Sequence, residues 1–279
     1  MSRMAAVAKS NNPQREQMSD ESMLRNLSAQ AEAIWPQEKV VFERYGLAPG
    51  ARILDLGCGP GELSERLLEA LPTAKLVGID LDAAHLERAR KRCARFGERA
   101  TFELGDAVEL DLPSESFDVA VCRHLLQAVP TPERVVAQMA RVTRPGGRLH
   151  IVAEDYGMMH FHPTQHDIDK FWTAGPIAYA TSLGTDLRSG RKIYTILRSL
   201  GLRDIRVDYI VIDTVRVERS VFSRIWSAWR DGYTDVIAQH TGLDRDDVDA
   251  CFRDMIDCIE NPDGYAVWQL PVVTGLIAG

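Results

Sequence analysis

The sequence has few cysteines, no long apolar run and no excess of positive charge. Its five cysteines form no Cys-x-x-Cys pair, a usage typical of a protein in a reducing cytoplasm. Cys93 and Cys122 fall in the apolar phase of a helix and of a strand, so we interpret them as buried thiols. No apolar run reaches the roughly 18–20 residues that a membrane span needs. The sequence therefore predicts a cytoplasmic protein without a membrane anchor.

The charge balance is acidic. A formal net charge of −7 argues against a large surface for nucleic acid or anionic membranes, because such binding depends on neutralising phosphate groups. It favours a small-molecule substrate. Residues 1–20 are polar and mixed and contain no signal-peptide core, so they predict a mobile tail before a single domain over residues 21–279.

A glycine-rich loop follows an apolar run at residues 53–62, which read Ile-Leu-Asp-Leu-Gly-Cys-Gly-Pro-Gly-Glu. An amphipathic helical pattern comes directly after it, so the segment predicts a strand, a tight loop and a helix. Glycines let the backbone adopt positive φ and approach a ligand closely. The amino-terminal end of the helix would face that ligand with its N–H groups, which suit a carboxylate or a phosphate. A bound anion is the first expectation.

The spacing of the loop excludes two nucleotide-binding motifs. Counted from Gly57, the last glycine of a dinucleotide fingerprint would stand at position 62, where the sequence has Glu62. No Gly-Lys-Ser/Thr closes the turn as in a P-loop. What remains is Asp55-x-Gly57-x-Gly59-x-Gly61, which resembles the first motif of the class I S-adenosylmethionine-dependent methyltransferases.

Four later landmarks follow in the order known from that family. Lys75–Asp80 predicts a second strand that ends in an acid, and Thr101–Asp106 predicts a third. A fourth strand ends at residues 122–124, Cys-Arg-His, and Arg-Pro-Gly-Gly at 144–147 precedes a fifth. The resemblance covers about residues 30–215.

Strands and helices alternate throughout this region, which predicts a doubly wound α/β sheet with right-handed crossovers. The resemblance implies a Rossmann-like methyltransferase fold with seven mostly parallel strands and an antiparallel last strand, expected at Tyr265–Val273. Helical cap or insert segments are expected at about 21–45, 157–186 and 218–262. We expect Pro36 to interrupt the first helix.

The resemblance also implies the cofactor, S-adenosyl-L-methionine, and its product, S-adenosyl-L-homocysteine. Asp55 and the glycines would hold the methionyl end, Asp80 the ribose hydroxyls, and Asp106 with Ala107 the adenine. The expected cofactor-binding residues are Asp55, Gly57, Cys58, Gly59, Gly61, Asp80, Leu81, Asp106, Ala107 and Arg123.

The candidate catalytic residues are His124, Asp155 and Tyr156, at the carboxyl ends of the fourth and fifth strands, where ligands of such sheets bind. A histidine titrates near neutral pH and suits a general base, whereas a structural role for His124 is the alternative. Arg123 has two further interpretations: it orients a substrate anion or pairs with Asp155.

Histidines and aromatic residues are concentrated after position 155. The spacing His160-x-His162-x-x-x-His166 invites a metal, but a single loop offers little of the fixed geometry that zinc requires, so we predict no metal site. Substrate contact or no function at all are the alternatives for these histidines. Aromatic residues line small-molecule cavities, but for the stripe at 222–236 we favour packing in the core or in a dimer interface.

Together these patterns predict a methyltransferase that acts on an oxygen, nitrogen or carbon of a small aromatic or apolar metabolite. Residues 122–124 differ from the Asn/Asp-Pro-Pro-Tyr of relatives that methylate base amines or glutamine. Two alternatives stay open: a methyltransferase for protein or RNA, and a regulatory or inactive protein that binds the donor without turnover. A homodimer is plausible because the carboxyl-terminal helices are apolar.

Overall fold

The computed structural model describes Pro13 and residues 20–279. The tail predicted over residues 1–20 thus lies outside the described residues, apart from Pro13 and Asp20. The strands are β1 (Arg52–Leu56), β2 (Lys75–Asp80), β3 (Ala100–Leu104), β4 (Phe117–Arg123), β5 (Thr143–Val152), β6 (Met159–His162), β7 (Arg203–Asp213) and β8 (Tyr265–Leu276).

Helices flank the sheet and occupy the three expected cap segments. They are α1 (Glu21–Glu43), α2 (Glu62–Ala70), α3 (Ala83–Cys93), α4 (Pro132–Val142), α5 (Ile168–Ala174), α6 (Pro176–Ser182), α7 (Gly190–Ser199), α8 (Arg219–Thr241) and α9 (Arg245–Glu260), with a 3₁₀ turn at Ala94–Arg99. No helix in the described part of the chain is long and apolar enough to cross a membrane.

The strand order β3-β2-β1-β4-β5-β8 confirms the doubly wound, mostly parallel sheet with an antiparallel last strand. β7 pairs with the other edge of β8. The count of seven strands is one short, since β6 pairs with residues 265–268 of β8. The physical reason is the length of β8: only residues 272–276 pair with β5, so its first half extends past the end of β5 and accepts another strand.

The register of the parallel strands brings their carboxyl ends to one edge of the sheet. Leu56, the last residue of β1, pairs with Ile79 of β2 and with Cys122 of β4. Arg123, the last residue of β4, pairs with Val152 at the end of β5. The segments that follow these strands therefore converge, as predicted for Asp55, Asp80 and residues 122–124.

The expected interruption at Pro36 is wrong, because α1 runs from Glu21 to Glu43 with the proline inside it. A proline in a helix interior costs about 3 kcal/mol, since it removes one hydrogen bond and crowds the preceding turn. Ile34 and Val41, on either side, are buried in the same core cluster. Each buried aliphatic side chain contributes roughly 1.5–3 kcal/mol, which is enough to keep the helix continuous.

Helix α1 is also attached to the sheet by a buried polar network. The two carboxylate oxygens of Glu38 accept hydrogen bonds from Arg123 Nη1 (2.8 Å) and, at 3.1 Å, from His150 Nε2. The Tyr45 hydroxyl lies 2.6 Å from Nδ1 of His150. Burial alone would raise the pKa of the Glu38 carboxyl, but Arg123 and His150 outweigh it and lower the pKa to about 2. Glu38 is thus an anion in the interior.

The aromatic stripe of the carboxyl-terminal region is buried within one chain. Phe222 and Trp226 of α8 and Phe252 of α9 are fully buried in one cluster together with Trp268 of β8. This is the core role favoured for residues 222–236. Because these apolar faces pack inside the protomer, they no longer supply a reason to expect a homodimer.

We predict that Glu38→Ala lowers the free energy of unfolding by about 3–5 kcal/mol, because it leaves Arg123 as an unpaired buried charge. Urea denaturation followed by circular dichroism measures the change. Glu43→Ala is the matched control on the same helix: its side chain is exposed beside Lys39, and we expect a change within about 0.5 kcal/mol. Equal stability of the two variants would contradict an anchoring role for Glu38.

Candidate active site

The glycine loop connects β1 to α2 through residues with positive φ. Gly57 has φ +72° and Gly61 has φ +82°. A Cβ atom at Gly57 would lie 3.0 Å from Cδ2 of Leu125, and one at Gly61 would lie 3.0 Å from Cα of Ala89. Both positions therefore require glycine for conformation and for space. Gly61 caps α2 and closes the turn.

The N–H groups of the loop are mostly used inside the protein. Those of Gly57 and Cys58 both donate to the carbonyl oxygen of Ile79, at 2.8 and 3.0 Å. Gly59 N–H donates to Oδ2 of Asp80 at 2.8 Å. The loop thus differs from a phosphate-binding nest, in which such groups face the ligand. It offers a close-fitting backbone surface next to an acid, and the expected anion gains no support from these three groups.

A cleft of about 110 Å³ opens beside this loop, at the carboxyl ends of β1, β2 and β4. The strand ends that converge there also bring in the loop after β3. The predicted cofactor-binding residues, except Gly61, line this cleft: Asp55, Gly57, Cys58, Gly59, Asp80, Leu81, Asp106, Ala107 and Arg123.

The two acids nearest the loop have different surroundings. Asp80 also accepts from Asp82 N–H at 2.9 Å, so it braces the loop besides lining the cleft. Asp55 is buried and accepts from the Ser64 hydroxyl at 2.6 Å. Burial raises the pKa of the Asp55 carboxyl to about 6, against the opposing effects of the Ser64 hydrogen bond and of Arg123. A cationic group in the cleft would stabilise the ionised form of Asp55.

The cleft includes polar residues that the sequence motifs did not single out. Asp82 and His85 line it, and Nε2 of His85 is buried without a hydrogen-bond partner among the described residues. Both follow Asp80 in the turn that starts α3, a position that could have identified them. Glu62, which argued against a dinucleotide, also lines the cleft, and its carboxylate pairs with Arg92 at 2.5 Å.

A second cavity of about 20 Å³ lies beside the cleft, between α1 and the ends of β4 and β5. Leu27, His124 and Ala128 line both spaces, so the two adjoin. The residues that line the second cavity are Met23, Asn26, Leu27, Gln30, His124, Gln127, Ala128, Glu154, Tyr156, Leu187, Trp229 and Tyr233.

His124 and Glu154 form a buried pair where the two spaces meet. Nδ1 of His124 lies 2.5 Å from Oε1 of Glu154, whereas His124 Nε2 and Glu154 Oε2 have no hydrogen-bond partner among the described residues. His124 has φ +58°, which is uncommon for a residue other than glycine. Its N–H donates to the Val152 carbonyl oxygen at 3.1 Å, and its own carbonyl accepts from Gln127 Nε2 at 2.8 Å. Such strain, about 1–3 kcal/mol, is concentrated at functional sites.

The other two candidate catalytic residues lie in different surroundings. Tyr156 lines the second cavity, and burial, followed by the neighbouring Glu154, raises the pKa of its phenol well above the usual value, so it stays protonated. Asp155 lines neither space, since both of its carboxylate oxygens accept from Arg191, at 2.6 and 2.7 Å. Glu154 is the acid of this segment that reaches the cavity.

Of the two interpretations of Arg123 left open by the sequence, the ion pair with Asp155 does not form. Each of these residues has another partner: Arg123 binds Glu38 and Asp155 binds Arg191. The reason is the position of α1, which brings Glu38 over the end of β4. No sequence motif indicates this contact between distant segments.

The histidine segment lies apart from both spaces. His160 and His162 are on β6, and His166 Nδ1 lies 2.9 Å from Oδ2 of Asp254. None of the three lines the cleft or the second cavity. Among the described residues, no group of three or more His, Cys, Asp or Glu side chains could hold a metal ion.

Comparison with known proteins agrees with this geometry. The sequence profile of a methyltransferase-domain family matches residues 53–147. A 27-O-demethylrifamycin SV methyltransferase of Amycolatopsis mediterranei (strain S699) is 42% identical over 105 residues, which are 37% of this chain and 38% of that protein. The chain spans about half the length of the curated relatives it matches.

Solved structures share the fold at low sequence identity. A phosphoethanolamine N-methyltransferase 2 of Haemonchus contortus, solved with S-adenosyl-L-methionine, superposes with a TM-score of 0.61 at 18% identity over 99% of this chain and 61% of that one. The [4+2]-cyclase SpnF superposes with a TM-score of 0.54 at 20% identity over 92% of this chain and 82% of that one. Residues 53–147 thus match a methyltransferase domain, and these solved structures share the fold of the chain.

Proposed function

We propose that this chain transfers a methyl group from S-adenosyl-L-methionine to a small metabolite bound in the second cavity. The observation that carries the proposal is the position of His124, which lines both the cleft and the cavity and keeps Nε2 unpartnered among the described residues. The donor supplies a methyl group on a positively charged sulfur. The residues of the chain bind the two reactants, exclude water and remove a proton.

The cleft fits the donor in shape and in charge. Gly57 and Gly59 line the cleft at the end of β1, and both have positive φ. Asp80 and Asp106 lie at the ends of the next two strands and provide carboxylates for hydroxyl and amino groups of a nucleoside. Asp55 provides a buried carboxyl at the loop itself.

The His124–Glu154 pair suits a general base. A carboxylate that accepts a hydrogen bond from one ring nitrogen fixes the tautomer and leaves the other nitrogen ready to accept a proton. In this arrangement Glu154 orients His124, and Nε2 of His124 takes the proton of the acceptor group. Asp155, a catalytic candidate from the sequence, then has a structural role in which it binds Arg191. Tyr156, the other candidate, forms part of the wall of the second cavity.

The competing functions fit the site less well. The net charge of −7 gives no support to an RNA substrate. A donor-binding protein without turnover would need neither a strained histidine nor its carboxylate partner. The cyclase neighbour is a reminder that the fold alone does not fix the reaction, so the assignment depends on these residues.

The five free cysteines support the predicted reducing cytoplasm.

We predict that incubation with labelled donor and a cell metabolite extract yields S-adenosyl-L-homocysteine and one methylated product. His124→Asn should lower the turnover by about 10²–10⁴-fold, because it removes the base, while the affinity for S-adenosyl-L-homocysteine stays unchanged. Asparagine tolerates positive φ, so the backbone at position 124 is preserved. Mass spectrometry measures the product and names the acceptor atom. Donor binding without any product would leave the regulatory function instead.

We predict that Asp80→Ala weakens the binding of S-adenosyl-L-homocysteine by about 10²–10⁴-fold, because two hydrogen bonds to a charged group are lost. Isothermal titration calorimetry measures the affinity, and circular dichroism checks the fold. Glu87→Ala, an exposed change on α3 beside Lys91, is the control and should bind like the parent. Unchanged affinity in Asp80→Ala would refute the ribose-binding role.

We predict that Asp55→Asn stabilises the ligand-free protein above pH 6 and weakens cofactor binding. The folded-state pKa of about 6 exceeds the unfolded value of 3.8. Ionisation of Asp55 therefore lowers the free energy of unfolding by up to about 3 kcal/mol as the pH rises from about 4 to 6. Thermal unfolding between pH 4 and 8 should show the advantage of the variant growing with pH.

Asp118→Asn is the matched control of opposite sign. Partial burial would raise the pKa of the Asp118 carboxyl, but hydrogen bonds from Arg52 N–H and from Arg144 outweigh it and lower the pKa. That substitution should destabilise the protein near neutral pH, and the loss should shrink as the pH falls below about 4. A pH-independent effect of Asp55→Asn would contradict the raised pKa.

A further inference from the structure

The second cavity is lined by acceptor oxygens that lack partners. Among the described residues, the buried side-chain oxygens without a hydrogen bond are Asn26 Oδ1, Gln30 Oε1, Gln127 Oε1, Glu154 Oε2 and Ser189 Oγ. All of them except Ser189 line this cavity. The amide orientation of Gln127 is fixed, since its Nε2 donates to the carbonyl of His124. A buried acceptor without a partner is costly, so the cavity is built for a ligand that brings donors.

The charge of the cavity is negative. Its lining includes the carboxylate of Glu154 and neither a lysine nor an arginine. Arg123 is the one lysine or arginine among the described residues that line the adjoining cleft, and its charge is already paired with Glu38. An acceptor group that carries a carboxylate or phosphate would meet Glu154 with no compensating charge. A cation would be attracted.

Aromatic rings form one side of the cavity. Trp229 and Tyr233 stack with their centroids 4.4 Å apart, and Tyr156 meets Trp229 edge to face at 5.3 Å. Ring faces attract cations through their quadrupole, most strongly when water is excluded. Burial raises the pKa of both tyrosines, so the phenols carry no competing charge.

The size of the cavity suits a small head group. A volume of about 20 Å³ holds about one water-sized group. An alkylammonium head has this size and carries only donors, whereas a hydroxyl has one donor and two lone pairs that would need donors in return. Trp229 Nε1 is a buried donor without a partner among the described residues that line the cavity. Four unpartnered acceptor oxygens against this one donor therefore fit an ammonium better than a hydroxyl.

We infer that the second cavity binds the protonated amine of the methyl acceptor, so that the reaction is an N-methylation of a small amine. This inference rests on the proposed function. The nitrogen gives one proton to Nε2 of His124, and Glu154 stabilises the resulting imidazolium. The freed lone pair forms the N–C bond while the C–S bond breaks with its electron pair on sulfur. The product is an N-methylammonium, and the proton on His124 leaves to water.

Three probes of similar size test the inference without turnover: n-propylammonium, n-propanol and propionate. Each is titrated into the unmodified protein, with and without S-adenosyl-L-homocysteine, while the indole N–H signals are followed by NMR; Trp229→Phe assigns the signal of Trp229. We expect saturable shifts of that signal with n-propylammonium, and binding of n-propanol and propionate weaker by about tenfold or more, because only the cation pairs with a charged acceptor.

Glu154→Gln should weaken n-propylammonium binding by about tenfold or more, since it removes the charge and keeps the shape. The control is Glu260→Gln, an exposed change at the end of α9, which should bind as the parent does. The three probes on the unmodified protein decide the question even where Glu154→Gln fails to fold.

The outcomes separate this inference from the proposed function. Two outcomes overturn the amine-binding inference: n-propanol binds as tightly as n-propylammonium, or none of the probes binds. If S-adenosyl-L-homocysteine still binds in either case, the methyltransferase proposal stays intact. Selective n-propylammonium binding that is lost in Glu154→Gln supports the amine site, including where S-adenosyl-L-homocysteine fails to bind and the proposed function falls.

Discussion

The site depends on one buried carboxylate, Glu38 of α1, held between Arg123 of β4 and His150 of β5. Charges in a protein interior are tolerated when each has a partner with good geometry, and here two strands supply the partners. The consequence reaches beyond stability. One helix is fixed in a single position over the carboxyl ends of the strands, and its earlier turns, with Asn26 and Gln30, become the wall of the second cavity.

The position of His124 couples the two ligand spaces. β4 ends at Arg123, which is turned to Glu38, and the next residue takes positive φ. The positive φ ends the strand and places the imidazole of His124 within hydrogen-bond distance of Glu154. A donor in the cleft and an acceptor in the cavity would thus meet at one side chain that belongs to both linings. Pre-positioning of this kind is the main contribution a protein can make to a displacement reaction, worth roughly 7–11 kcal/mol of the barrier.

The sequence predicted the residues that line the cleft far better than those that line the second cavity. Asp55, Gly57 and Asp80 follow local rules, since strand ends in a parallel sheet meet at one edge and glycine marks the turns. Glu154, Asn26 and Gln30 obey no such rule. Asn26 and Glu154 line one cavity only because α1 packs over the ends of the strands, which brings together segments far apart in the chain. The error at Pro36 has the same origin, because tertiary burial outweighed a local helix breaker.

Several energetically costly groups lie at the site. Asp55 is buried at a raised pKa, His124 is strained, and Gln30 and Glu154 keep acceptors without partners among the described residues. Others lie in the surrounding core, where the indole N–H groups of Trp172, Trp226 and Trp268 are buried without partners among the described residues. Those at the site face a ligand space, and a cation or a donor would relieve the buried acid and the unpartnered acceptors. A cationic methyl donor and the protonated amine proposed above would supply both.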